Sequence, residues 1–209
     1  MFCDTNVNVV TGWKFLGGTL GCKKARNSFL SDKAAKWSNH ICQLSSMCKS
    51  QPQSAYIVLT KFLQSEWIFL LRIMPDCDVL FSNVEQALSD SFLPSLFGCS
   101  ITQTERSFFT LPVRMGGLNI KDPTVTFSMS YVASRDATFY LVDALKGNTE
   151  FESETHNDWV YSSRQASYKE CCDTANQLFE KIVDGESNTH RRTLQRARDS
   201  FCMAVSPPY

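Results

Sequence analysis

From Ser28 onward apolar residues fall at Leu30, Ala34, Trp37, Ile41, Leu44 and Cys48, in alternating steps of four and three. That spacing keeps all six on one side of a helix and leaves Lys33, Lys36 and Asn39 off the stripe, predicting a helix over about 28–50. Ser50-Gln51-Pro52 restarts the chain, with the proline near a first helical turn, where its missing N–H costs little. The second helix should run to about Met74 and stop before Pro75, with Ala55, Leu59, Phe62, Phe69 and Ile73 as its apolar positions. The short connection between the two predicts antiparallel packing.

The pattern continues helical. Leu80, Val84, Ala87 and Leu88 mark a helix over about 78–91 that leads into Phe92-Leu-Pro-Ser-Leu-Phe-Gly98. Thr102-Gln-Thr-Glu105 has the form of a capping box. Leu111 to Ile120, with Pro112 and the pair Gly116-Gly117, must turn. Asp122-Pro123 opens a long helix to about Lys146, closed by Gly147. Residues 148–158 are polar and acidic and read as a surface linker, followed by helices over about 164–184 and 188–203. Only the N-terminus is β-prone: Val7 to Val10 and Trp13 to Leu16, joined by Thr11-Gly12, predict a tight hairpin over about 7–16. Gly17, Gly18 and Gly21 then break regular structure or admit another backbone. The expected fold is mainly α, a helical bundle of five to seven helices with one small N-terminal β-hairpin.

At 209 residues, 43% of them hydrophobic and including 15 Phe and 4 Trp, the chain can bury a sizeable core. The apolar run Trp67 to Leu71 ends at Arg72, far short of a membrane span. No basic-then-apolar leader pattern opens the sequence. Nine cysteines include no Cys-x-x-Cys pair, and His40, His156 and His190 stand apart from them. No metal or other cofactor is expected. The thiols read as reduced and mostly buried, in an intracellular protein, cytoplasmic or nuclear. No Gly-x-Ser-x-Gly elbow or suggestive His–Cys spacing points to a hydrolase.

Charge is balanced overall, with 21 cationic and 21 anionic side chains, yet unevenly distributed. Residues 1–50 hold seven Lys/Arg against two Asp, a net of +5. Residues 51–98 sum to −3 and 151–209 to −2. A basic quarter on a neutral body is either a solvated face or a footprint for phosphate. Its members include Lys14, Lys23, Lys24, Arg26, Lys33 and Lys36.

In order, the chain presents Phe15-Leu16-Gly17, a helix bearing Trp37, Gln51-Pro52-Gln53-Ser54-Ala55-Tyr56, Trp67 with Arg72, and Glu85. Phe92-Leu93-Pro94, Glu105-Arg106 and Leu111-Pro112-x-Arg114-x-Gly116-Gly117-Leu118 follow. This succession, over about residues 8–145, resembles the region after the palm in animal retrotransposon reverse transcriptases. The resemblance implies a primer-grip-like hairpin over 1–26, a thumb/connection-like helical domain over 27–147, and a linker with C-terminal helices over 148–209. It implies that Phe15, Leu16 and Gly17 press on a primer backbone, that Lys33 and Lys36 touch phosphates, and that the partners are template–primer RNA/DNA and a palm/fingers domain. Family members place their polymerase carboxylates upstream of the Leu-Gly strand, and no Asp-Asp pair occurs in this sequence. Two-metal phosphoryl transfer needs such convergent carboxylates, so no catalytic residue is assigned and the chain alone is expected to be inactive. For Trp37 the core position is favoured over nucleic-acid contact. Arg114 and Gly116-Gly117 read as structural. The competing expectation is a helical interaction or structural domain from a decayed or domesticated element, with no nucleic-acid role.

Overall fold

The computed structural model describes residues 10–75 and 78–205, with the side chains of Asp78, Ala197 and 200–205 excepted. The first stretch forms an antiparallel hairpin of β1 (Gly12–Phe15) and β2 (Gly18–Gly21), pairing Gly12 with Gly21 and Trp13 with Leu20. Trp13 to Leu16 thus pairs forward across Leu16-Gly17, where the sequence suggested pairing backward across Thr11-Gly12. Residues 7–9 of the expected first strand lie outside the described residues. Leu16-Gly17 wins because a two-residue hairpin loop that matches strand twist needs positive φ at both positions. Leu16 has φ 46° and Gly17 φ 84°.

Among the described residues the rest is helical. Helix α1 is Lys23–Cys48, beginning five residues ahead of the stripe that announced it. α2 (Pro52–Ile57) and α3 (Gln64–Ile73) form one rod through a π-helical turn, Val58–Leu63. After a 3₁₀ turn at Asp78–Phe81, α4 (Ser82–Ala87) and α5 (Leu93–Phe97) form a second such rod through the π-helical Leu88–Phe92. α6 (Gln103–Thr110), α7 (Pro123–Leu145), α8 (Ser153–Gly185) and α9 (Asn188–Val205) complete seven rods. The acidic stretch 148–158 is only in part a linker, since α8 already starts at Ser153.

The α1 stripe is buried as its spacing requires: Leu30, Ala34, Trp37, Ile41, Leu44 and Cys48 all enter the main core. Trp37 stacks on Phe81 and meets Trp67 edge-on, with ring centroids 5.9 and 6.2 Å away. With the turn near residue 50 at one end and the Trp37–Trp67 contact further along, α1 and the 52–73 rod lie antiparallel.

The 52–73 rod corrects the sequence reading. Phe62, Phe69 and Ile73 are exposed, and the buried series is Ala55, Leu59, Leu63, Trp67 and Leu71. Steps of four drift around a 3.6-residue turn, and the wide π turn takes up that drift. The same device serves 82–97, where Val84, Leu88 and Phe92 are buried and Pro94 lacks an N–H to donate.

A smaller cluster, Leu111, Met115, Phe179, Ile182 and Val183, docks α8 on the turn before α7. That turn runs through a 3₁₀ segment, Val113–Met115, and folds back on α6. Asn119 and Ile120 donate to Leu111 O and Phe109 O at 2.9 and 3.0 Å. A Cβ on Gly117 would stand 2.2 Å from Leu111 O, which is why glycine sits there.

Candidate nucleic-acid interface

The hairpin tip is the most conspicuous feature of the N-terminal end. Leu16 is 81% exposed and holds a left-handed backbone. For a leucine that conformation costs roughly 1–2 kcal/mol. No burial of its side chain offsets the cost. Strand alternation puts Trp13 and Phe15 on one face with Leu20, the partner of Trp13, and all three are exposed. Lys14 points to the other face, and its Nζ lies 5.7 Å from the centre of the Phe29 ring. Gly17 lets the tip approach α3: a Cβ there would stand 3.3 Å from the Phe69 ring.

Helix α1 opens without a capping side chain on Cys22 and without an acid in its first turn. Lys23 and Lys24 occupy that turn instead, and both are exposed. Cations at a helix N-terminus oppose the macrodipole, so these lysines add positive potential while favouring neither the helix nor its start.

Further along, Arg26, Phe29, Lys33, Lys36 and His40 follow steps of 3, 4, 3 and 4 and share one flank beside the buried stripe. The structure therefore divides the basic residues. Arg26, Lys33 and Lys36 line this flank and Lys14 reaches Phe29 on it from the hairpin, whereas Lys23 and Lys24 lie in the first turn of the helix.

The four are not equivalent. Lys33 Nζ is 3.9 Å from Glu66 Oε2 and 5.9 Å from the centre of the Trp37 ring. The same carboxylate oxygen accepts from Trp37 Nε1 at 2.9 Å. Lys33 is thus partly neutralised and helps seat the core tryptophan. Arg26 is half-buried, and its Nε has no hydrogen-bond partner. Lys36 is exposed and in no ion pair among the described residues.

Phe29 and His40 escaped the sequence reading although their spacing was legible; attention to charge alone passed over them. Glu66 pairs across helices, with Trp37 and Lys33 of α1. Arg72 is exposed and joins no ion pair among the described residues.

Arg114 neither caps a helix nor faces this flank. Its Nη1 donates to Tyr168 OH at 3.2 Å and its Nη2 to Cys172 Sγ at 3.1 Å. Arg106, which follows the capping box, forms an ion pair with Glu85. The thiols depart from expectation. Cys22, Cys42, Cys99 and Cys171 are exposed, Cys172 is half-buried, and Cys48 alone among the described residues is fully buried. No group of His, Cys, Asp and Glu among the described residues can hold a metal ion. No helix among them is long and apolar enough to cross a membrane. Comparison of the chain with family models, characterised proteins and solved structures gave no significant match.

Proposed function

We propose that this chain is the non-catalytic, post-palm part of a reverse-transcriptase-like polyprotein and grips template–primer nucleic acid without reading its sequence. The observation that carries the proposal is the hairpin tip: a strained, exposed Leu16 beside Gly17, next to a helix whose first turn and flank are basic. Folding gains nothing from an exposed leucine in a left-handed conformation, and strain of this kind accumulates where a chain meets a ligand. Lysines spaced along one flank suit a phosphate backbone, which needs charge at intervals and no base-edge donors.

The test is fluorescence anisotropy of a labelled RNA–DNA hybrid at two salt concentrations. Lys14 and Lys36 are available, Lys33 is partly neutralised and Arg26 partly buried, so the log–log salt slope should be about −2 to −4. Lys36→Glu should weaken binding and flatten that slope by about one. Leu16→Asn keeps a residue suited to the turn while removing the exposed side chain, and should weaken binding without unfolding the hairpin. Lys33→Glu is a poorer probe, because it would set a second carboxylate against Glu66. Binding unaffected by salt or by both substitutions defeats the proposal.

The second reading, a helical interaction domain with no nucleic-acid role, draws on the exposed Trp13, Leu20, Phe62, Phe69 and Ile73. Failure of the anisotropy test leaves that reading in place.

A further inference from the structure

Away from the hairpin, α8 carries two adjacent cysteines, and Cys172 has a cation for a neighbour. Arg114 Nη2 lies 3.1 Å from Cys172 Sγ, and Arg114 Nη1 lies 3.2 Å from Tyr168 OH, one turn back on α8. No carboxylate among the described residues pairs with Arg114. Lys121 is half-buried, and its Nζ donates to Thr110 O at 3.4 Å. Arg114 thus meets a thiol and a phenol and no carboxylate among the described residues, and the anion that can neutralise it locally is the Cys172 thiolate.

We propose that Cys172 is a modification site, a thiolate held by Arg114 that exchanges with anionic low-molecular-weight disulfides such as oxidised glutathione. Reactive cysteines sit in partly exposed, electropositive surroundings, and Cys172 is half-buried beside a guanidinium. Hydrogen bonding from Arg114 holds its thiol below the ordinary range, against some burial and the nearby Asp173. Arg114 is raised in turn, first by its bond to Cys172. In the reaction the Cys172 sulfur attacks one sulfur of the disulfide, the S–S bond breaks, and the second half leaves as a thiolate that takes a proton from water. Cys172 and the transferred sulfur end in a mixed disulfide, and the departing sulfur is reduced, so no further oxidant is needed. Once the thiolate charge is consumed, Arg114 is free to pair with a carboxylate of the adduct. An anionic disulfide therefore fits the site better than a cationic one.

The exposed thiols Cys42 and Cys99 are internal standards, since each lacks an arginine partner among the described residues. The full chain is incubated at neutral pH with oxidised glutathione, or with cystamine as the cationic probe, and each cysteine is followed by peptide mass spectrometry. Lowered nucleophilicity offsets part of the gain in thiolate, leaving roughly a threefold rate advantage per unit of pKa depression at neutral pH. Cys172 should therefore lead Cys99 several-fold with oxidised glutathione. The lead should shrink with cystamine and disappear in denaturant. Arg114→Gln should bring Cys172 down to the rate of Cys99, while Cys171→Ser should leave it unchanged. The proposal fails if Cys172 reacts no faster than Cys99, if both disulfides react alike, or if folded Arg114→Gln keeps the wild-type rate. Should Arg114→Gln not fold, the site ratio and the disulfide preference of the wild-type chain decide the matter.

Discussion

Arg106 is 3% exposed, and its environment sets up a measurable asymmetry. Its Nε and Nη2 donate to the two oxygens of Glu85 at 2.6 and 2.7 Å, and its Nη1 donates to Ile120 O at 2.9 Å. Glu85 also accepts from Ser89 Oγ at 2.8 Å and keeps 19% of its side chain exposed. Glu85→Ala strands a guanidinium with nowhere to turn, which should cost about 3–5 kcal/mol. Arg106→Met leaves a carboxylate that retains Ser89 and can reach water, so about 2–4 kcal/mol is expected. The double substitution, Glu85→Met with Arg106→Met, leaves no buried charge. It gives up only the pair's net worth and the bond to Ile120 O, about 1–3 kcal/mol. The singles therefore sum to well above the double, with a coupling energy of about 2 kcal/mol or more. Urea unfolding gives the three values from shifts in midpoint at unchanged m. For a chain of this size the Glu85 variant should melt about 6–20 °C lower. A double variant as unstable as the two singles combined would refute the argument, because it would mean that the pair's neighbours, not the stranded charge, carry the loss.

Two further outcomes follow from the same region. Gly117→Ala forces a methyl to within 2.2 Å of Leu111 O and should cost on the order of 2–4 kcal/mol, whereas Gly147→Ala meets nothing within 4 Å and pays only for its left-handed backbone, about 1 kcal/mol; paired urea curves would expose an error if the two losses were equal. Burial holds the Lys121 ammonium below its usual value of 10.5, so folding favours the neutral amine. Below the folded pKa that penalty is fully present. Between the folded pKa and 10.5 the unfolded chain binds more protons, so stability must rise with pH across that window. Lys121→Met should be more stable than wild type at neutral pH and should lose the alkaline rise; parallel pH profiles would contradict this.

The legibility of the fold in the sequence depended on what each element answers to. The α1 stripe was readable residue by residue because one face of one regular helix meets one core. The 52–73 rod was readable only at its ends. Phe62, Phe69 and Ile73 obey ideal α periodicity and are exposed, while Leu63, Trp67 and Leu71 follow the phase of the π turn. A π turn has no composition of its own, so that phase becomes visible only when the buried series is known. The hairpin was correctly placed in kind and displaced in register, because valines at 7, 9 and 10 drew the pairing backward. The turn at Leu16-Gly17 could have been recognised from its glycine but not from its leucine, which is a poor residue for that position. At the candidate interface the cations were legible as a count. Their division into a flank group and a first-turn pair required helical phase, and the partial neutralisation of Lys33 by Glu66 required the packing of a second helix.

The region from Leu118 to Lys121 shows why motifs distant in sequence belong together. Ile120 is buried, Leu118 and Lys121 are half-buried, and Asn119 turns through a left-handed backbone, so their backbone groups need partners that neither helix nor sheet supplies. Tyr56 OH donates to Leu118 O at 2.7 Å, Gln64 Nε2 donates to Asn119 O at 3.0 Å, and Gln64 Oε1 accepts from Lys121 N at 2.9 Å. Arg106 satisfies Ile120 O from the other side. Hence Tyr56, Gln64 and Arg106, the last held by Glu85, form one polar clamp around the four residues that lead into α7. Gln64 had no evident role in the sequence, where it interrupts an apolar series, yet it is 4% exposed and makes two of these bonds. A polar residue holding a core position of a helix is explained when an extended segment must be satisfied nearby. The spacing of these motifs is thus set by the fold itself, whereas the exposed, left-handed Leu16 at the hairpin tip is held at a cost that folding does not recover, and that is where the proposed binding has to be tested.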